Sequence, residues 1–143
     1  MPDAVPFKLV TPAQVVFDGG AELVIAVTTE GEEGILPRHA PFLAALKPGV
    51  LRANVRQAAD GEGSVTRLEL ATSEGFMQAL PDRITVLVDE ALAFDDVVVA
   101  TARDRLAEAT ERQKAEAPGS DGFARQQAII DFANAQLRLT GHR

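Results

Sequence analysis

The sequence predicts an all-β sandwich of about ten short strands, followed by a C-terminal antiparallel hairpin of two helices. From Phe7 to about Val88, short runs of Val, Ile, Leu and Thr alternate with turns rich in Gly, Pro and Asp, which is typical of an antiparallel sandwich. After Ala91 the pattern becomes helical, and it is interrupted once, at Pro118-Gly119. We therefore expect a sandwich domain at residues 1–91 and a helical hairpin domain at residues 92–143.

Seven strands can be assigned directly from the sequence. Arg83 to Val88 alternates most cleanly, with Ile84 and Val86 on the face opposite Thr85. The predicted strands are 7–10, 15–17, 23–28, 50–55, 65–71, 76–80 and 84–88. The predicted turns are Asp18-Gly19-Gly20, residues 60–63, Glu74-Gly75 and Pro81-Asp82.

The segment Gly31 to Gly49 contains three prolines and three glycines around two short apolar runs. Each proline removes a backbone donor and restricts the preceding residue, whereas glycine permits positive φ. This composition predicts stiff turns that join short strands and together present a shaped surface. His39, at the centre of the segment, is the one histidine that lies away from the C-terminus.

Two helices are predicted after the sandwich. The first begins at an N-cap, Asp95 or Asp96, and runs to about Ala117; the second is capped by Ser120 or Asp121 and runs from Phe123 to about Leu139. Their apolar stripe is rich in alanine, and comprises Val98, Ala102, Leu106, Ala109, Ile130, Ala133 and Leu137, beside Ile129 and Phe132. Because alanine buries little area, we expect a weakly docked hairpin that moves as a unit, although a static, closely packed hairpin fits the same residues.

Composition excludes several classes of protein. A net charge of −7 and 46% hydrophobic residues fit a compact acidic domain and argue against nucleic-acid binding. The absence of cysteine rules out disulfides and thiolate metal sites. The N-terminal residues lack the pattern of a signal peptide, and the longest apolar runs are about five residues, far below the roughly 18 needed to span a bilayer. We therefore expect any membrane association to go through a partner.

No pattern of catalytic residues stands out either. The sequence has no Gly-Lys of a phosphate loop and no Gly-x-Ser-x-Gly elbow. The acidic pairs Glu32-Glu33, Asp89-Glu90 and Asp95-Asp96 are interpreted as solvated surface or as helix caps, and His39 as a turn residue or a buried imidazole. We expect no catalytic residue, no cofactor and no metal, and hence a protein that is not an enzyme by itself.

Several segments in order resemble the ε subunit of F-type ATP synthases. They are FKLVTP from Phe7, FDG from Phe17, GxxGILPxHAPxLxxLKPG from Gly31, PDxITVLVDEA from Pro81, and the terminal helical hairpin. The resemblance covers nearly the whole chain, and its central motif is long and specific. It implies a ten-stranded β-sandwich followed by two α-helices, in agreement with the fold class derived from the residues.

The resemblance also implies a role as a non-catalytic rotor subunit on the central stalk. The sandwich would pack on the γ subunit and on the polar loops of the c-ring, so that proton-driven rotation turns γ. This places the chain at the cytoplasmic face of a bacterial membrane, peripherally and through the complex. The interface residues that it implies are Gly31, Glu32, Glu33, Arg38, His39 and Pro41.

The resemblance further implies that the hairpin can extend toward the α and β subunits and block ATP hydrolysis. Arg125 and Arg138 are the basic residues of the second helix that would contact an acidic β surface, and so few cations predict a weak grip.

Two positions depart from the family pattern. Arg38 stands where the family commonly has Gly or Asn, so we expect either a different backbone there or a local contact of the guanidinium with γ or the c-ring. Where some members bind ATP, this chain keeps Asp96 but has Val99, Phe132 and Gln136 in place of arginines. This predicts no ATP sensing. The alternative function is a small-molecule-binding β-sandwich that regulates through a helical tail.

Overall fold

The computed structural model describes residues 4–57 and 63–141. Within them lie nine strands and two α-helices. The strands are β1 (Val5–Val10), β2 (Val15–Thr28), β3 (Gly31–Ile35), β4 (Phe42–Leu46), β5 (Gly49–Arg56), β6 (Thr66–Thr72), β7 (Gly75–Leu80), β8 (Arg83–Val88) and β9 (Ala91–Leu92). The helices are α1 (Val99–Lys114) and α2 (Asp121–Leu139). The predicted turn at residues 60–63 falls almost entirely outside the described residues.

The strands form a sheet that folds back on itself around one core. Their hydrogen-bonded order is β1-β8-β7-β4-β2-β5-β6-β9, with β3 added to β2. Strand β1 also pairs with β2, so β1, β8, β7, β4 and β2 close into a ring. Side chains from β1 to β8 meet in a single buried cluster, in which Phe7, Leu51 and Met77 are among the largest. The predicted fold class, a β-sandwich followed by two helices, is confirmed.

The predicted turn at Asp18-Gly19-Gly20 is wrong, because β2 continues through it for 14 residues. Gly19 is buried, and a Cβ added there would lie only 2.5 Å from the carbonyl oxygen of Arg56. Gly19 therefore allows two backbones to approach closely inside the sheet, a common role of glycine in strands. The pairing of β2 with β5 shifts register just beyond this point, between Ala21 and Leu23.

The first helix starts later than predicted. Phe94–Asp96 form a short 3-10 turn, and the N-cap of α1 is Val98, whose side chain makes no capping hydrogen bond. Asp96 Oδ2 instead accepts a hydrogen bond of 3.3 Å from the Ala93 amide, so this carboxylate caps the 3-10 turn. The cap of α2 is as predicted: Ser120 Oγ accepts a hydrogen bond of 3.1 Å from the Phe123 amide.

The two helices pack as an antiparallel pair, and α2 lies on β5 and β6. The contact is small: Phe132, Ala135 and Leu139 meet Val50, Ala71 and Leu92. In the part of the chain that the structure describes, no helix is long and apolar enough to cross a membrane.

Candidate interaction surfaces

The outer face of β4, β7, β8 and β1 carries several exposed apolar side chains. The strand register aligns its outward side chains in two rows across the four strands. One row consists of Ala45, Phe76, Leu87 and Val10, and the next consists of Leu43, Gln78, Thr85 and Lys8. We call these eight residues the docking face.

Large hydrophobic side chains on the docking face are open to solvent. Leu43 is 71% exposed, Phe76 58% and Leu87 52%. Leucine and phenylalanine of this exposure at adjacent sheet positions mark an interaction site, whereas single exposed apolar residues are ordinary. The sequence did not single out this face. Apolar residues occupy both odd and even positions of β7, and Leu87 is an apolar residue on the otherwise polar side of β8, so alternation alone does not separate the core from a second apolar surface.

The residues Gly31, Glu32 and Glu33, predicted to meet a partner, lie exposed on β3. Glu32 Oε2 accepts a hydrogen bond of 2.5 Å from Arg52 of β5, in an ion pair that is largely open to solvent. Gly31 has a φ of 117°, which an L residue with a side chain rarely adopts, and nothing lies within 4 Å of a Cβ built there. This end of the sandwich therefore presents open backbone at Gly31 and two exposed acidic side chains, Glu32 and Glu33, the first of which is paired with Arg52.

Arg38, His39 and Pro41 lie on the loop between β3 and β4. Arg38 has a φ of 65°, in the left-handed region. The loop therefore keeps the conformation that Gly or Asn favours, although the residue is arginine. His39 Nδ1 lies 2.6 Å from the carbonyl oxygen of Ala40, and the imidazole packs edge-on against Phe42 with 5.8 Å between ring centroids. These contacts hold the loop next to the start of β4, and hence beside Leu43 of the docking face.

A polar chain of contacts connects both helices to the sandwich. Gln113 of α1 donates to Gln127 Oε1 at 2.9 Å, and Gln127 donates to Asp131 Oδ1 at 3.0 Å. Asp131 Oδ2 in turn lies 3.8 Å from Nζ of Lys47, which follows β4. Because this ion pair is partly exposed and long, its contribution to docking is below about 1 kcal/mol.

Arg125 and Arg138, predicted as the basic residues of the hairpin, are exposed and lie far apart. They are thirteen positions apart on one helix, about 20 Å at 1.5 Å per residue. Arg125 borders a cavity of about 220 Å³, and Arg138 borders another of about 800 Å³ between α2 and the sandwich. The structure thus does not gather them into one basic patch.

The cavity of about 220 Å³ contains two of the three positions that the resemblance aligns with ATP-binding arginines. Phe132 and Gln136 are both nearly buried there. Arg105 and Arg125 border the same cavity, but so do three carboxylates, those of Glu74, Asp89 and Glu90. A net negative lining of this size is unfavourable for a triphosphate. Among the described residues, no group of three His, Asp or Glu side chains is placed to hold a metal ion.

Fold and surfaces together define a β-sandwich with a helical appendage and with exposed apolar side chains on one outer face of the sandwich. The comparisons with known proteins identify the particular family. The model of the β-sandwich domain of the ATP synthase delta/epsilon chain matches residues 4–94. The chain belongs to this family.

Relatives named ATP synthase epsilon chain are similar over most of their length. That of Chromobacterium violaceum is 36% identical over 131 residues, which cover 92% of this chain and 89% of the relative. That of Syntrophobacter fumaroxidans is 34% identical over 142 residues, which cover 97% of both chains. The predictions of the family and of a non-catalytic subunit of a rotary ATP synthase are therefore confirmed.

Solved structures agree with the fold. A chain in the mitochondrial ATP synthase of Euglena gracilis, from a structure of its OSCP, F1 and c-ring, superposes with a TM-score of 0.73 at 17% identity, covering 99% of this chain and 84% of that one. A chain from the central stalk and c-ring of the Tetrahymena thermophila mitochondrial enzyme gives a TM-score of 0.58 at 16% identity, with 95% and 96% covered. At these identities the likeness establishes the fold alone.

Proposed function

We propose that this chain is a central-stalk subunit that couples rotation of the c-ring to the γ subunit during proton-driven ATP synthesis. It acts at the cytoplasmic face of a bacterial membrane, which it reaches only through the complex. The observation that carries the proposal is the docking face: exposed Leu43, Phe76 and Leu87 on a sheet whose opposite side is fully packed. We assign this face to γ.

Torque transmission requires a contact that does not deform. The docking face meets this requirement because its four strands are hydrogen-bonded to one another and their inward side chains are close-packed. The exposed end with Glu32 and Glu33 is the part that we assign to the polar loops of the c-ring, where carboxylates pair with cationic side chains.

The experiment is recovery of the complex through a tagged chain from detergent-solubilised membranes of its own cell. We expect γ, the c-ring and the α and β subunits in the eluate, together with ATPase activity. The variant Phe76→Glu/Leu87→Glu should lose them, because it places two charges in an apolar contact. Val65→Glu is the matched control, since Val65 is also exposed but lies outside the docking face. Recovery of the same complex with the wild-type chain, the double variant and the control would refute the assignment of the face.

We also propose that residues 1–91 and 92–143 act as separate units, and that the hairpin restrains ATP hydrolysis by α and β when it leaves the sandwich. The small size of the contact between α2 and the sandwich supports this, since it contains one aromatic side chain, Phe132, with two alanines, two leucines and one valine. The apolar area that release exposes is therefore mainly that of Phe132, so the cost of release depends largely on this one side chain.

A chain without cysteines permits a direct test of hairpin release. Ala71 and Ala135 belong to the same buried cluster, on β6 and α2, so we choose Ala71→Cys/Ala135→Cys as the pair to lock the hairpin in its docked position by oxidation, with loss of free thiol verifying the disulfide. We expect the complex to hydrolyse ATP faster when oxidised than when reduced. The single variant Ala71→Cys controls for effects of the oxidant. Equal rates in both states of the double variant would contradict release as the inhibitory step.

The strength of this restraint depends on the cations of α2. Arg125 and Arg138 lie at different ends of the helix, so an acidic β surface meets them one at a time, and we propose a weak grip. Deletion of residues 123–143 should then raise ATP hydrolysis only slightly. A large rise would contradict the weak grip without affecting the assignment of the docking face.

A further inference from the structure

The docking face ends in two cavities of opposite charge. At one end, a cavity of about 600 Å³ is bordered by Glu74 and Asp89 together with Phe76 and Leu87. At the other end, a cavity of about 350 Å³ is bordered by Lys8 and Arg83 together with Gln78 and Thr85. The apolar row therefore lies close to two carboxylates, and the neighbouring polar row close to two cations.

The four charged side chains at these ends are exposed, and none of them is in a salt bridge within residues 4–57 and 63–141. The cations are the more informative pair, because the chain carries a net charge of −7 and yet places Lys8 and Arg83 together here. Two carboxylates are neighbours: Asp82 at the turn before β8, and Asp18, which lies opposite Lys8 in the pairing of β1 with β2. Neither borders the cavity or forms an ion pair with the two cations, so the ammonium and the guanidinium are available to a carboxylate of a partner.

We propose that this polarity fixes the orientation in which γ binds: γ presents a carboxylate to the cavity of Lys8 and Arg83, and a basic side chain to the cavity of Glu74 and Asp89. A partner can bind an apolar strip alone in several orientations that bury a similar area. Charges at its rim exclude the reversed orientation, since that orientation places like charges opposite each other. The inference rests on the proposed function, because it specifies the chemistry of the same contact.

The polarity should also act on the rate of association. Exposed rim charges steer encounter at long range and are screened by salt, with a Debye length of about 10 Å at 0.1 M. Binding of the wild-type chain to γ should therefore slow as salt is raised, while dissociation changes less.

The test is binding of the full-length chain to the immobilised γ subunit of its own complex at low and high salt. Two double variants reverse one end each: Lys8→Glu/Arg83→Glu and Glu74→Lys/Asp89→Lys. We expect each to bind at least about tenfold more weakly at low salt and to have lost most of the salt dependence. Because all four side chains are exposed, the fold should be kept, and thermal denaturation of each variant verifies this.

The matched control is Arg112→Glu/Lys114→Glu on α1, which changes the net charge by the same amount as the first variant and lies on exposed helix surface. It should bind γ like the wild type. Wild-type affinity of both end-reversed variants, or an equal loss in the control, would overturn the inference while leaving γ as the partner. Failure of the wild-type chain to bind γ would overturn the proposed function itself, and with it the inference.

Discussion

Arg38 offers a quantitative test of how the central loop is held. An L residue with a side chain pays about 1–2 kcal/mol for the left-handed conformation, and the φ of Arg38 is 65°. Glycine avoids this cost but loses about 0.5–1 kcal/mol through its greater freedom in the unfolded chain. The variant Arg38→Gly should therefore be more stable than the wild type by about 0.5–1 kcal/mol, although it removes a side chain.

Thermal and urea denaturation of the isolated chain measure this gain. For a chain of this size about 1 kcal/mol corresponds to roughly 4 °C, so we expect the Tm of Arg38→Gly to rise by about 2–4 °C. Arg38→Ala is the control, because alanine removes the guanidinium but keeps the backbone cost, and its Tm should stay near that of the wild type. An equal rise for both variants would show that the arginine side chain, and not its backbone, is unfavourable.

Gly31→Ala is the reverse experiment, at the first residue of the same motif. Its φ is 117° and no atom lies within 4 Å of the new Cβ, so any loss of stability reports backbone conformation alone. We expect a loss of at least about 1 kcal/mol. A neutral result would mean that the loop relaxes freely, which contradicts a rigid motif.

Three further predictions concern the strands, the hairpin and the nucleotide. Gly75→Ala should lower the free energy of unfolding, measured by urea denaturation, by about 1–3 kcal/mol, because the added Cβ would clash with the carbonyl oxygen of Leu87. In the control Gly34→Ala the nearest atom lies 3.7 Å from the added Cβ, so its stability should stay within about 0.5 kcal/mol of the wild type. Phe132→Ala should weaken the docking of α2 by about 3 kcal/mol, and the amide hydrogen exchange of α2 should rise while β1 and β8 stay protected. The control Ile129→Ala, at a 38% exposed position, should change exchange little. A rise in exchange over the whole chain would contradict independent release of the hairpin. Calorimetry with ATP should show no binding, and micromolar affinity would refute our interpretation of Phe132 and Gln136.

The sequence was most informative where one property determined the structure. Alternation located β8, and Ser120 located the start of α2, because a single pattern or a single hydroxyl decides each. It failed where one residue type serves two purposes. The sequence predicts a turn at Asp18-Gly19-Gly20, where Gly19 instead permits close packing of two strands, and it predicts Asp95 or Asp96 as the N-cap of α1, whereas Asp96 caps the preceding 3-10 turn. Which neighbour a glycine or a carboxylate meets depends on the tertiary fold.

The interaction surface likewise has a part that could be predicted from the local sequence and a part that depends on the tertiary fold. The motif from Gly31 to Gly49 is contiguous and was found from the sequence. Phe76, Leu87, Lys8 and Arg83 are spread over three strands, and only the pairing of β1, β8 and β7 makes them neighbours. Nothing in the local sequence distinguishes exposed Phe76 from buried Met77, since both lie on one strand with apolar residues at odd and even positions.

The docking face and the hairpin occupy different layers, and they approach each other at one end only. α2 lies on β5 and β6, whereas the docking face belongs to β4, β7, β8 and β1. Glu74 and Asp89, however, border both the apolar end of the docking face and the cavity under α2 that contains Arg105 and Arg125. In the docked position these arginines lower the negative potential that a basic side chain of γ would meet.

Release of the hairpin should consequently strengthen the acidic end of the docking face and leave the basic end unchanged. In binding to γ, Phe132→Ala combined with Lys8→Glu/Arg83→Glu should show additive free energies, because the two sites share no partners. Combined with Glu74→Lys/Asp89→Lys it should deviate from additivity by at least about 0.5 kcal/mol. Additivity in both combinations would show that γ does not sense the position of the hairpin through this surface.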